Sequence, residues 1–157
     1  MNAAHGLWDW GRFLVALLKL AGALLLTLPI AWERARATRM MGLRTFPLVA
    51  MASCGYVLIA SRAIGGTADL EGRIIQGLMT GIGFVGGGAI LKEGANVRGT
   101  ATAASIWMTG ALGAAIAFSE LEIAVLLSVL NFLVLRILTP IRERIDHPNN
   151  GGSPPQT

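Results

Sequence analysis

Five apolar blocks dominate the residue pattern between Phe13 and Leu138. Each is close to the roughly 20 apolar residues, with about 17 as a minimum, that a helix needs to cross a bilayer. A segment in lipid must satisfy its own backbone N–H and C=O groups, so these blocks are predicted to be helices. The pattern therefore predicts an all-α, polytopic membrane bundle of about five transmembrane helices. The predicted spans are Phe13–Trp32, Phe46–Ala63, Ile74–Leu91, Ala101–Ser119 and Ile123–Leu138.

The composition agrees with a membrane protein of one domain. Apolar residues make up 54% of the 157 residues and charged residues only 14%, below the roughly 25% charged residues of soluble domains. We expect one transmembrane domain over residues 1–145. Residues 146–157 are rich in Pro, Gly and Asn and have no apolar periodicity, so they are predicted to form a disordered cytoplasmic tail.

The positions of lysine and arginine predict the orientation of the bundle. Eight lie in the connections on one side of the spans and three on the other, which places the N-terminus outside and the C-terminus in the cytoplasm. The net charge of +4 is thus assigned to topology, and no nucleic-acid partner is expected. The eight are Arg34, Arg36, Arg39, Arg44, Lys92, Arg98, Arg142 and Arg144, and the three are Arg12, Arg62 and Arg73.

Small residues recur at spacings of four in two pairs along the third span and follow one face of the fourth. Spacings of four residues place them in stripes, along which two helices can approach closely. We predict that the third and fourth spans pack together through these stripes. A groove that holds a ligand, or a broken third helix that binds an ion or substrate, is the alternative. The predicted contact residues are Gly77, Gly81, Gly83 and Gly87 on the third span and Ser105, Thr109 and Gly113 on the fourth.

The sequence offers little support for catalysis or for a metal site. The histidines are His5 and His147, near the two ends, and the single cysteine, Cys54, has no partner for a zinc site. No Asp or Glu lies deep in a predicted span, although Mg²⁺ and Ca²⁺ prefer oxygen ligands that include carboxylates. We therefore predict no enzyme activity, no cofactor and no metal site.

The connections on the predicted cytoplasmic side carry the richest polar chemistry. Arg44-Thr45 and Arg98-Gly99-Thr100 enter two spans from the same side and could together hold an anion, a lipid phosphate or an acidic partner residue. Positive-inside topology with capping of the fourth helix by Thr100 or Thr102 is the alternative. Glu33 is expected to pair with Arg36. The candidate functional residues are Glu33, Arg34, Arg44, Thr45, Asn96, Arg98, Gly99 and Thr102.

Three separated stretches together resemble the MgtC/SapB family of bacterial inner-membrane proteins. They are Glu33-Arg34 leading to Gly42-Leu43-Arg44-Thr45, the glycine-rich run from Gly81 to Gly94, and Asn96-Val97-Arg98-Gly99 followed by Thr102-Ala103-Ala104 and Trp107. The resemblance implies a multi-pass inner-membrane protein that is a non-enzymatic regulator linked to Mg²⁺ homeostasis, growth at low Mg²⁺ and, in pathogens, virulence. It also implies contacts with other membrane proteins, among them the ATP synthase, and Asn96 matches a motif position connected with that role.

Two departures from the family pattern bear on these expectations. The family usually has His where this chain has Phe46, and often Leu-Asn where this chain has Thr100-Ala101. A cytoplasmic C-terminal domain, which many members carry, is not expected here. The alternative function is a transporter or channel for Mg²⁺ or another small solute. The small-residue faces are also compatible with a homo-oligomer.

Overall fold

The computed structural model describes residues 9–37, 42–64, 68–93 and 96–146. These ranges form five α-helices and one β-hairpin. The helices are α1 (Trp10–Ala37), α2 (Thr45–Ile64), α3 (Ala68–Gly87), α4 (Thr100–Ala117) and α5 (Leu121–Asp146), and the hairpin strands between α3 and α4 are β1 (Leu91–Glu93) and β2 (Asn96–Arg98).

The prediction of an all-α membrane bundle is confirmed. Four helices, α1, α2, α4 and α5, are long and apolar enough to cross a membrane. Short connections make successive helices antiparallel. The carboxyl ends of α1, α3 and α5 therefore lie beside the amino ends of α2 and α4 and beside the hairpin. We call this the hairpin end of the bundle and the other the opposite end; which end faces the cytoplasm stays a prediction.

The third helix differs from its predicted span, Ile74–Leu91. It begins earlier, at Ala68, and ends at Gly87, and Leu91 is instead the first residue of β1. Its 20 residues would extend about 30 Å. However, three charged residues lie in its first two turns, and α3 is not among the four candidate spans.

The glycines of α3 do not interrupt it, since the helix is continuous from Ala68 to Gly87. A glycine costs about 1 kcal/mol relative to alanine in a helix. An unsatisfied backbone group in lipid costs several kcal/mol, so the hydrogen-bond ladder is kept. The alternative of a broken third helix is therefore wrong for this structure.

The centre of the bundle is α4, which contacts each of the other four helices. Ten of its 18 residues are buried. Apolar residues occupy all sides of α4, as expected for a helix that is surrounded by others. Its large buried side chains Ile106, Leu112 and Ile116 form the core together with Phe46 of α2 and Ile30 of α1.

A hydrogen bond from α5 reaches α1 in the turn before the proline of that helix. Pro29 has no N–H to donate, and its ring crowds the carbonyls of the preceding turn. Ser128 of α5 donates a hydrogen bond to the Leu26 carbonyl in that turn, at 2.6 Å. The carbonyl that lacks an N–H donor because of Pro29 is that of Leu25, four residues earlier. The Ser128 contact therefore does not replace the lost bond, but it fixes α5 against α1.

The carboxyl end of α5 reaches Asp146, so the helix extends to the first residue of the predicted tail. Residues 147–157 lie outside the described residues, as do Arg39 and the first eight residues. The predictions that fall on them stay predictions.

Candidate functional site

The buried charge of the hairpin end is Arg34, in the last turn of α1. Its side chain is only 3% exposed, although arginine is rarely buried to this degree. Its Nη1 atom donates to Thr102 Oγ1 of α4 at 3.5 Å, the outer limit of a hydrogen bond. Two of the candidate residues, far apart in sequence, therefore meet where α1 crosses the start of α4.

Glu33, the residue before Arg34, joins α1 to α5. Its Oε2 atom lies 3.4 Å from Nη1 of Arg136, and the Glu33 side chain is 14% exposed. Arg36, the expected partner of Glu33, lies instead over the ring of Trp32 at 5.0 Å, a cation–π contact. The prediction of a Glu33–Arg36 pair is corrected to a Glu33–Arg136 pair, because tertiary packing brings α5 to this carboxylate.

The entry into α2 is built around close backbone packing. A Cβ at Gly42 would lie 2.7 Å from the backbone nitrogen of Ala35, so this turn touches the end of α1. Phe46 follows in the first turn of α2 and is fully buried. The aromatic ring at the position where the family usually has His is thus part of the core. Arg44 is exposed and Thr45 is half-buried.

The entry into α4 depends on Gly99, which is its N-cap. Gly99 has φ of 86°, and a Cβ there would collide with the carbonyl oxygen of Ala89. Glycine is therefore required both by the left-handed backbone conformation and by the lack of space for a Cβ. No side chain caps the helix, and Thr102 instead receives the hydrogen bond from Arg34. The prediction that Thr100 or Thr102 caps α4 is therefore wrong.

The β-hairpin contains the motif residues Asn96 and Arg98. β1 and β2 are antiparallel, with Leu91 opposite Arg98 and Glu93 opposite Asn96. The Arg98 side chain is exposed. The arginine–threonine contact described at this end joins Arg34 and Thr102, and a pairing of the Arg44 and Arg98 corners stays a prediction.

The contact between α3 and α4 is close, but it does not use the four predicted glycines. A Cβ at Gly86 would lie 3.1 Å from the carbonyl oxygen of Ala103, and a Cβ at Gly110 would collide with Ile82. These residues form the interface. The predicted contact with α4 is wrong for four glycines, because a Cβ added at any of them would have no atom within 4 Å. These are Gly77, Gly81, Gly83 and Gly87.

The small stripe of α4 faces α5 and α2 rather than α3. Ser105 Oγ donates to Asn131 Oδ1 of α5 at 2.7 Å, and Asn131 Nδ2 donates to the Ser105 carbonyl at 3.3 Å. Thr109 is fully buried and donates to the Ser105 carbonyl. A Cβ at Gly113 would collide with the Ala50 carbonyl oxygen of α2. The stripe therefore packs, but against other helices than predicted.

Two of the open glycines of α3, Gly77 and Gly81, line a groove of about 590 Å³ between α2 and α3. Apolar side chains form most of its wall. The Ser53 hydroxyl at the groove donates to the carbonyl of Val49 in its own helix, at 2.8 Å. A second groove of about 290 Å³ separates α3 from α4 and the start of α5. α3 consequently has open space on two sides.

Two features of the site were missed by sequence reasoning. Lys19 Nζ donates to the Ala117 carbonyl at the carboxyl end of α4, at 2.5 Å, where a cation also meets the negative end of the helix dipole. The second missed feature is the burial of Arg34. Lysine inside an apolar block was a visible signal for the first, but nothing local distinguishes Arg34 from the exposed Arg36.

Among the described residues, no group of three or more His, Cys, Asp or Glu side chains is arranged to hold a metal ion. The polar side chains inside the bundle instead bond to one another or to the backbone. The geometry is that of a packed bundle whose polar contacts fix helix positions.

Comparison with known proteins agrees with the three motif stretches. The sequence model of the MgtC family matches residues 20–144. Protein MgtC of Brucella abortus (strain 2308) is 38% identical over 127 residues, which cover 81% of this chain and 52% of that protein. Protein MgtC of Salmonella typhimurium (strain 14028s / SGSC 2262) is 34% identical over 130 residues, which cover 83% of this chain and 55% of that protein.

The chain spans about half the length of the curated relatives it matches. No solved structure gives a significant match. The family match includes the candidate residues from Glu33 to Thr102. The chain belongs to the MgtC family.

Proposed function

We propose that this chain is a non-enzymatic regulator in the bacterial inner membrane that acts through contacts with other membrane proteins. The proposal includes a link to Mg²⁺ homeostasis, to growth at low Mg²⁺ and, in pathogens, to virulence. Family membership supports that link. Because the chain spans about half of its curated relatives, the activity of a whole relative enters only as part of this proposal.

The open face of α3 is the observation that carries the proposal. Gly77 and Gly81 have no atom within 4 Å of a Cβ position, and Phe84 is 87% exposed. In lipid, small residues on an open helix face let another transmembrane segment approach closely, where van der Waals contacts and weak hydrogen bonds stabilise the pair. A helix that is only partly covered by its own bundle is suited to bind a partner.

The polar groups of the interior favour a regulator over a transporter or channel. Lys19 bonds to the Ala117 carbonyl, and Asn131 bonds to Ser105. A conduction path needs groups that are available to replace the hydration shell of a passing ion. Internal bonds of this kind are better suited to holding helices together.

The experiment compares two leucine substitutions in a deletion strain grown in limiting Mg²⁺. Gly81→Leu fills the open face of α3. Gly22→Leu on α1 is the matched control, because a Cβ at Gly22 also meets nothing within 4 Å. We expect the wild-type gene and Gly22→Leu to restore growth and Gly81→Leu to fail, with total cellular Mg²⁺ unchanged in all strains. A fall in Mg²⁺ content on deletion, restored by the gene, would instead support transport.

A second measurement tests the ATP synthase as the partner. A photo-crosslinking amino acid replaces Phe84 on α3 and, as a control, Leu126 on α5, which is 59% exposed. Crosslinks to an ATP synthase subunit from position 84 alone would support the proposal. Equal crosslinking from both positions, or crosslinks only to a second copy of the chain, would contradict it.

A further inference from the structure

The hairpin between α3 and α4 has an unusual surface for a segment at the end of a membrane bundle. Leu91 and Val97 are 48% and 44% exposed, and Ile90, just before β1, is 42% exposed. Lys92 and Arg98 are also exposed. Apolar side chains of this size are not normally left together in water.

The strand register distributes these side chains in pairs. Leu91 lies opposite Arg98, and Lys92 lies opposite Val97. Since successive residues of a strand point to opposite faces, these two pairs lie on opposite faces, and each pair contributes one apolar and one basic side chain. Such a surface matches a boundary at which hydrocarbon and anionic groups meet, rather than water alone or hydrocarbon alone.

The length of the hairpin places it at that boundary. Each strand has three residues, so the hairpin extends about 10 Å at a rise of about 3.3 Å per residue. The headgroup layer on each side of a bilayer is about 5–8 Å thick. Only Gly88–Ile90 separate α3 from β1, and Gly99 alone separates β2 from α4. The hairpin therefore stays close to the level at which the helices leave the hydrocarbon.

The base of the hairpin is held in a fixed geometry. Gly99 packs directly on the Ala89 carbonyl with its φ of 86°, and Ala89 is buried. The Ala89 and Ile90 amides donate to the Gly86 and Gly87 carbonyls at 3.0 and 3.1 Å. A two-stranded hairpin is marginally stable alone, so this base preorganises the Leu91–Arg98 and Lys92–Val97 pairs.

The charges of the two ends differ in sign. Among the described residues up to Arg136, the hairpin end has six basic residues and two acidic ones, whereas the opposite end has four basic and five acidic. The six are Arg34, Arg36, Arg44, Lys92, Arg98 and Arg136, with Glu33 and Glu93; the opposite end has Arg12, Lys19, Arg62 and Arg73, with Asp9, Asp69, Glu71, Glu120 and Glu122.

We propose that the two hairpin strands with Ile90, residues 90–93 and 96–98, form a binding site for anionic phospholipid headgroups of the adjacent leaflet. Lys92 and Arg98 would contact the phosphate groups, and Leu91, Val97 and Ile90 would insert between the headgroups and the acyl chains. The proposal does not depend on the partner-binding role of α3, which lies on another surface. It predicts that lipid charge helps to fix the α3–α4 connection and its neighbours.

The test measures lipid binding to the full chain in detergent by native mass spectrometry. The probes are phosphatidylglycerol and phosphatidylcholine with the same acyl chains, and free glycerol phosphate. The test variant is Lys92→Gln/Arg98→Gln. The control, Arg12→Gln/Arg62→Gln, removes the same charge at the opposite end. Thermal unfolding without lipid verifies that both variants are folded.

Each basic residue near an anionic surface contributes about a fivefold gain in affinity. The Lys92→Gln/Arg98→Gln variant should therefore bind phosphatidylglycerol on the order of 25-fold more weakly, with phosphatidylcholine binding unchanged. The control should change by less than about threefold. Should the double variant unfold, Lys92→Gln alone must lower the affinity about fivefold and Lys92→Arg must retain it.

Three outcomes would overturn the proposal. One is equal weakening in the test and control variants, which would mean that total charge rather than the hairpin binds the lipid. Another is unchanged affinity in the test variant. The third is binding of free glycerol phosphate as tight as that of phosphatidylglycerol, which would assign the site to a soluble anion. Weaker binding of phosphatidylglycerol and phosphatidylcholine alike in Leu91→Ser/Val97→Ser would support the insertion of the apolar pair.

Discussion

α3 and α4 lie side by side and carry similar runs of small residues, but the bundle uses those residues differently. In α4, ten of 18 residues are buried, and Gly110 and Gly113 are in direct contact with Ile82 and Ala50. In α3, Gly81 has open space beside it, and the close contact is made by Gly86. A small-residue spacing therefore shows that a helix can approach another closely, and its neighbours decide whether it does.

The largest effect is expected at Gly113. Replacement by leucine would drive a side chain into the backbone of α2 at Ala50, and a backbone cannot move aside as a side chain can. We expect Gly113→Leu to lower the free energy of unfolding by on the order of 3 kcal/mol or more. Denaturant unfolding in mixed micelles measures the loss, and a stability equal to that of the wild type would mean that α2 and α4 do not meet here.

The next effect is expected at Gly99, where α4 begins. Gly99→Ala should cost about 2 kcal/mol, because a left-handed backbone conformation costs roughly 1–2 kcal/mol with a Cβ and the Cβ also meets the Ala89 carbonyl. Gly99→Asn separates the two causes, since asparagine tolerates this conformation but keeps the Cβ. Thermal unfolding of both variants is the measurement. Recovery of stability in the asparagine variant would show that the steric contact is unimportant.

A smaller effect is expected at the contact between α4 and α5. Asn131→Ala removes two hydrogen bonds to Ser105, and interhelical hydrogen bonds in membranes contribute about 0.6–1.7 kcal/mol. We expect a loss of about 1 kcal/mol in the free energy of unfolding. A double-mutant cycle with Ser105→Ala isolates the side-chain bond. Strict additivity of the two single substitutions would contradict a direct interaction.

The smallest effect on stability is expected at Gly81. Gly81→Leu places its side chain in the groove between α2 and α3, where nothing lies within 4 Å of the Cβ. The change in the free energy of unfolding should stay within about 0.5 kcal/mol, as for surface sites, although the proposed regulatory function should be lost. Unfolding in mixed micelles measures the free energy of unfolding, and growth in limiting Mg²⁺ measures the regulatory function. A large loss of stability would place Gly81 inside the bundle and remove the contrast between α3 and α4.

The candidate site was predictable in part. The motifs identified Arg34, Gly99 and Thr102 as candidates, and the structure places Arg34 and Thr102 in contact. The partner of Glu33 could not be predicted, because Arg136 lies 103 residues away and only packing of α5 on α1 brings it near. The i, i+3 neighbour Arg36 was the obvious partner on a helix considered alone.

The amino-acid sequence by itself determined the class of the fold, the approximate positions of the helices and the family. Those properties follow from the length of apolar runs and from local motifs, which depend on neighbours within a few residues. The tertiary structure alone decided that α4 is central, that α3 packs through Gly86 but leaves Gly81 open, and that Arg34 is buried while Arg36 is exposed. In lipid, every apolar helix face is equally well solvated by acyl chains, so hydrophobicity does not specify which face is buried. Close packing between particular side chains makes that choice, and it depends on residues far apart in the chain.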